Sequence, residues 1–193
     1  MILENNLQYF TAALSNKFCD EILEYALTKK QEVAQIVSDN DLDKNRKSSV
    51  VFLNDTWIFK EVEPYLKIAN KESNWNFDIE SCEPFQFTKY DGLKKQHYSW
   101  HVDQKHQPFE NGLIRKLSMT ISLVDGSSYE GGDLEFSFRD GLDENDFRNK
   151  ICNEIRPKGS IVVFPSFTLH RVKPVTAGTR YSLVVWTLGK PFR

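Results

Sequence analysis

Tyr98-Ser99-Trp100-His101-Val102-Asp103 is the stretch that decides how this chain folds. Tyr98, Trp100 and Val102 alternate with Ser99, His101 and Asp103, the pattern of a strand. A helix would instead place His97 and His101 at the i, i+4 spacing of a helical zinc pair, and the alternation argues against it. On a strand, side chains two apart point the same way. His101 and Asp103 then share a face and both reach one ion, while Val102 packs behind. His97 and His106 are rival ligands, and we read them as surface or loop histidines.

Moving outward, similar runs recur from Trp75 onward. They are Phe85–Phe87, Leu117–Val124, Leu134–Phe138, Ile161–Phe164 and Tyr181–Leu188. Asp91-Gly92, Asp125-Gly126, Gly131-Gly132 and Lys158-Gly159 punctuate them. Short strands at such spacing predict a β-sandwich or barrel. Gly131-Gly132 reads as a hairpin turn into the Leu134 strand. The charged stretch from Arg139 to Arg156 reads as an exposed loop or a marginal helix, and a lid role there has no support.

The first third is different. Ser15 can cap a helix whose apolar positions are Phe18, Ile22, Leu23, Ala26 and Leu27. Ser38 to Ser49 is polar and reads as a loop, and Val50–Leu53 as a short strand. Thr56 to Ala69 has helical spacing in Trp57, Ile58, Val62, Tyr65, Leu66 and Ala69, with Pro64 expected to kink or divide it. The expectation is mainly β with N-terminal helices (α+β): one domain over 1–193, with helical support over about 1–74 and the β core over about 75–193.

Composition narrows the function. The chain has 193 residues, 40% hydrophobic and 27% charged, with a net charge of −2. That balance implies no general attraction to nucleic acid or to an anionic membrane. Cys19, Cys82 and Cys152 form no CxxC and are odd in number, which predicts reduced thiols. The N-terminus has neither a basic start nor an apolar run, so no secretory signal is expected. No stretch approaches the roughly 20 apolar residues of a membrane span. A cytoplasmic location is the expectation.

His170 lies after the strand ending at Phe164-Pro165 and could complete a three-ligand face with His101 and Asp103. Two histidines and one carboxylate, with coordination positions left open, suit ferrous iron in oxygenases. Beyond it, Arg180, Ser182, Val184 and Trp186 share one face by the period-two rule. If that face is inward, a guanidinium, a hydroxyl and an aromatic wall line the same cavity as His170. A buried Arg needs an anion. No acidic residue lies in Thr168 to Arg193, so another strand or a ligand must supply it; a core salt bridge is the structural alternative.

The ordered set of motifs resembles a known family. Its pieces are Phe87-Thr88-Lys89-Tyr90-Asp91-Gly92, Tyr98 to Asp103, Leu117 to Leu123 and Tyr129-Glu130-Gly131-Gly132-Asp133-Leu134-Glu135-Phe136. Lys158-Gly159-Ser160 to Ser166, His170 to Val175, and Gly178-Thr179-Arg180-Tyr181-Ser182 with Trp186 complete it. Together they resemble the Fe(II)- and 2-oxoglutarate-dependent dioxygenases, in the prolyl-4-hydroxylase-like branch. The resemblance implies a double-stranded β-helix (jelly-roll) core. It implies His101, Asp103 and His170 as iron ligands, and Arg180 as the partner of the distal carboxylate of 2-oxoglutarate. It makes Tyr90, Ser182 and Trp186 cosubstrate contacts or pocket wall. Fe(II), 2-oxoglutarate and O2 are the implied cofactors, with ascorbate as a candidate addition. Asp103, being a carboxylate, argues against the halogenating relatives.

The function this implies is hydroxylation of an unactivated C–H bond, with succinate and CO2 released. A prolyl or other protein side chain is the first candidate substrate, and a free amino acid or small metabolite the second. Nucleic-acid demethylation is disfavoured by charge, and a non-catalytic binding module by the presence of all four residues. Gln104 to Arg115 matches no family segment. Lys105, Pro108, Phe109 and Arg115 there could meet substrate, or the segment is an ordinary solvated loop.

Overall fold

The structure is a computed structural model and describes residues 5–34, 46–139 and 147–192. Strand β1 (Gln8–Phe10) leads to helix α1 (Asn16–Leu27), then β2 (Glu32–Val33), β3 (Arg46–Lys47) and β4 (Ser49–Leu53). Helix α2 (Thr56–Glu72) is followed by β5 (Ser81–Cys82), β6 (Phe85–Asp91), β7 (His97–His101) and β8 (Ile114–Ser122). The chain continues through β9 (Tyr129–Gly131), β10 (Leu134–Arg139) and β11 (Phe147–Ile151). It ends with β12 (Ile161–Pro165), β13 (Leu169–Val172) and the long β14 (Val175–Gly189).

These strands form two antiparallel sheets. The larger runs β1-β12-β8-β14-β6-β4-β2, with β5 and β9 also paired to β14; the smaller runs β11-β10-β13-β7-β3. The central strands of the larger sheet are covered on both faces, and their alternation separates residues packed on the helices from residues turned toward the smaller sheet. Phe85, Phe87, Leu117, Met119, Ile121, Ile161, Val163, Leu183 and Val185 form one apolar cluster with Cys19, Ile22 and Ala26 of α1 and Ile58, Val62, Leu66 and Ala69 of α2. The intervening residues, among them Tyr90, Val162 and Phe164, face the smaller sheet and pack with its Phe136 and Val172. Helix α1 starts as expected, the Ser15 hydroxyl accepting from the Phe18 amide.

Several expectations need correction. Helix α2 runs undivided through Pro64. Pro64 and Lys60, whose carbonyl loses its donor, are both on the exposed side, so water can replace the missing bond while the buried stripe holds the helix. Gly131-Gly132 is not a hairpin turn: Gly131 ends β9, which pairs with β14, and the chain then crosses to the smaller sheet. Both glycines have positive φ, at 69° and 64°, and a Cβ on Gly132 would stand 3.1 Å from Cδ of Arg180. Residues 147–151, read as loop or helix, are β11, paired to β10. The polar stretch from Ser38 contains β3 and the first residue of β4; its residues 38–45, like 140–146, lie outside the described residues. Among the described residues, no helix is long and apolar enough to cross a membrane.

Phe87 is fully buried between sheet and helices. Phe87→Ala is expected to lower the unfolding free energy by about 3–5 kcal/mol in urea titrations. Leu93→Ala, at a side chain 97% exposed, is expected to stay within about 0.5 kcal/mol.

Candidate active site

The antiparallel pairing of β7 with β13 makes His101 and His170 direct cross-strand partners, beside a register shift that ends at Val172. Their rings stand 4.2 Å apart between centroids. Asp103 completes the group, though not as part of the strand. β7 stops at His101, and Val102, expected to pack behind, is 40% exposed. The Asp103 backbone is held instead by its amide, which donates to the Ser166 carbonyl at 2.9 Å. Its carboxylate lies 3.6 Å from His101 Nε2 and 3.7 Å from His170 Nε2. One ligand atom from each of the three residues lies within 4.8 Å of the others, the only such group of three or more among the described residues.

Backbone carbonyls settle the imidazole orientation. His101 Nδ1 is 2.7 Å from the Ser99 carbonyl and His170 Nδ1 is 2.9 Å from that of Thr168. A carbonyl only accepts, so each Nδ1 carries a proton and each Nε2 is turned toward the shared space. Phe164 stands edge-on to the His170 ring at 4.8 Å. Burial, reinforced by His170, pushes the His101 pKa down to about 3. Burial alone would raise that of Asp103, but attraction to His170 and His101 holds it below the usual carboxylate range. Two imidazole nitrogens beside an ionised carboxylate are a donor set that suits a divalent cation. His97 and His106 stay outside this group.

The cavity behind the triad has an empty volume of about 400 Å³. Arg180, Ser182, Val184 and Trp186 all line it, as the alternation on β14 predicts, and so does Tyr90. Arg180 is 2% exposed. Its Nη1 donates to the Ser182 hydroxyl at 3.3 Å, while Nε and Nη2 are buried with no partner. No carboxylate pairs with it among the described residues, so the core salt bridge is not formed. Its cross-strand partner Tyr90 presents its ring 5.5 Å from the guanidinium carbon. The cavity thus has candidate metal donors at one part and a guanidinium with two unpartnered nitrogens at another.

The residue reading missed Arg46, Gln86 and Thr120, which line the same cavity. Arg46 sits on the two-residue β3, its guanidinium 4.6 Å from the Tyr98 ring; a strand so short leaves no periodicity to read. Gln86 and Thr120 could have been found, since each lies on the face opposite the apolar residues of its strand. Arg115, read as a substrate-loop contact, is bound to Glu83 and to the Asp103 carbonyl.

Residues 85–188 match the model of the 2OG-Fe(II) oxygenase superfamily. A PKHD-type hydroxylase of Synechococcus sp. (strain CC9605) is 44% identical over 89 residues, 46% of this chain and 35% of that protein. The aligned region is little more than a third of the first curated relatives, at 35% of each. A prolyl-4-hydroxylase of Pseudomonas putida superposes with a TM-score of 0.71 at 16% identity, covering 97% of this chain and 95% of that one. A prolyl hydroxylase of Trichoplax adhaerens, solved with a hypoxia inducible factor oxygen degradation domain peptide fragment, gives 0.72 at 17% identity, covering 95% and 84%. At these identities the likeness is one of fold, the double-stranded β-helix.

The low pKa of His101 has a consequence for stability. The imidazole stays neutral in the folded protein down to about pH 3, against 6.5 as its ordinary value. Between these values the unfolded chain binds the additional proton. The contribution is therefore complete above pH 6.5 and is lost as pH falls toward 3. Chemical denaturation of the metal-free protein should show stability falling with a limiting slope of about 1.4 kcal/mol per pH unit. His101→Gln should flatten that slope.

Proposed function

The chain belongs to the 2OG-Fe(II) oxygenase superfamily, and from that premise we propose that His101, Asp103 and His170 hold Fe(II) while Arg180 holds 2-oxoglutarate. The observation that carries this reading is the Arg180 guanidinium, without a carboxylate partner among the described residues, in the cavity that the triad also lines. A guanidinium remains charged at any physiological pH and pairs best with a planar carboxylate, through two parallel N–H···O bonds. A dicarboxylate with its far end on Arg180 has its 2-oxo acid end free to reach the metal.

Fe(II) with 2-oxoglutarate and O2 supplies the oxidation: one oxygen atom enters a C–H bond as hydroxyl, the other enters succinate, and CO2 leaves. The chain's own residues bind, orient and exclude water. Ser182 accepts from Arg180 and sets the angle of the fork. Tyr90 flanks the cosubstrate as well as the guanidinium, and the buried Trp186 indole walls the cavity. Asp103 remains anionic, so that two imidazole nitrogens and one negative charge face the cation. Ascorbate is an auxiliary cofactor in this reading, with no residue assigned to it.

The substrate we propose is a prolyl or other side chain on a protein or peptide. An open groove lined by Glu83, Lys105, Pro108, Phe109 and Leu188 supports this, with an empty volume of about 1160 Å³. It adjoins the cavity through Arg115, which binds Glu83 and stacks over Trp186. A free amino acid or small metabolite is the second reading, favoured by the narrowness of the inner cavity.

Succinate release, followed with proline-containing peptides and with free amino acids as alternative substrates, separates the two. Peptide-only stimulation is expected; stimulation by free amino acids alone would favour the second reading. Arg180→Met is expected to weaken 2-oxoglutarate binding about 100-fold, from the loss of roughly 3 kcal/mol of charge-assisted bonding. An unchanged dissociation constant would remove Arg180 from the cosubstrate site.

A further inference from the structure

We propose that Glu83 and Arg115 form a positioning clamp that fixes the backbone of Asp103 and the plane of Trp186. This rests on the reading of Asp103 as a metal ligand. The need for a clamp follows from the topology. Asp103 lies past the end of β7, so no ladder bond of that strand orients it. Three contacts do: its amide and that of Gln104 each donate to the Ser166 carbonyl at 2.9 Å, and its carbonyl accepts from Arg115 Nη1 at 3.2 Å. The peptide groups on both sides of Asp103 are thereby held.

Arg115 is itself fixed. Its Nη2 donates to Glu83 Oε2 at 2.8 Å, and its Nε donates to the other carboxylate oxygen. Both side chains are largely buried, at 15% and 20% exposure. The face of the guanidinium lies over the Trp186 ring, 3.8 Å from its centroid. The Glu83 amide donates to the Trp186 carbonyl at 2.9 Å. The register of β14 against β8 shifts between Trp186 and Leu188, an irregularity of the kind that re-aims a side chain. Glu83, Arg115 and Trp186 thus form a closed triangle, and the third edge of the guanidinium reaches the Asp103 carbonyl. The same bond ties the two ends of the 104–114 loop together beside the groove.

The geometry demands arginine. One planar group satisfies two carboxylate oxygens, a backbone carbonyl and an aromatic face together, and an ammonium cannot. Losing the partner of a ligand's backbone loosens the ligand, and such outer contacts typically carry 10–100-fold in metal affinity.

The test uses the full chain and Co(II) alone, anaerobically and without cosubstrate, read by its visible d–d absorption. Arg115→Lys and Glu83→Gln are each expected to weaken Co(II) binding about 10-fold and to alter the band shape. The double variant should be no weaker than the single ones, because the pair acts as a unit. Glu83→Gln keeps the shape of the side chain and touches no proposed ligand, so it retains the test if Arg115→Lys unfolds, as judged by thermal melting. Folded variants with wild-type affinity and spectrum would overturn the clamp, as would an effect of Arg115→Lys that Glu83→Gln fails to share. Those outcomes leave the metal reading standing; a wild-type chain that binds no Co(II) would overturn both.

Discussion

The Arg180 guanidinium sits in the interior of the β core with an unfilled demand for an anion. Removing such a cation from water costs several kcal/mol unless charge and hydrogen bonds are restored. Among the described residues, only Ser182 supplies an acceptor here. A fold that keeps this arrangement must find its stability elsewhere. It does so on the other side of the same sheet, where α1 and α2 cover a continuous apolar face. The larger sheet is therefore a partition with one dry side that stabilises the fold and one side whose polar residues line the candidate site. Alternating side chains on β8 and β14 serve both sides at once.

The candidate metal donors follow from a different constraint. Cross-strand register places the two imidazoles side by side, and backbone carbonyls turn both Nε2 atoms toward the same space. Asp103 can join them because β7 ends first, which frees the chain to bend its carboxylate inward. A regular strand would have supplied one fixed direction; the bend allows the carboxylate to approach both imidazoles at similar distances. That freedom needs restraint, and the contacts of Ser166 and Arg115 to the Asp103 peptide groups provide it.

Period-two alternation made β14 legible from sequence, and with it Arg180, Ser182, Val184 and Trp186 as one lining. The same rule misplaced Asp103, because alternation continues through Val102 while the hydrogen-bond ladder does not. Helix α2 was legible from its buried stripe, but the tolerance of Pro64 depended on which side faces water. Arg46 escaped because a two-residue strand carries no period. The Glu83–Arg115 pair escaped as a pair, since its partners lie 32 residues apart and meet only through the packing of β14 against β8. Local pattern reported faces; long-range pairing, which pattern does not encode, determined which residues met across them.

The central claim is that the triad and Arg180 face one shared ligand space. Anaerobic addition of Fe(II) and then 2-oxoglutarate, followed by visible absorption, tests it most directly. The account predicts a weak metal-to-ligand band that saturates at one equivalent of each and is lost in Asp103→Ala. No band with the wild-type chain, or an undiminished band in Asp103→Ala, would contradict it.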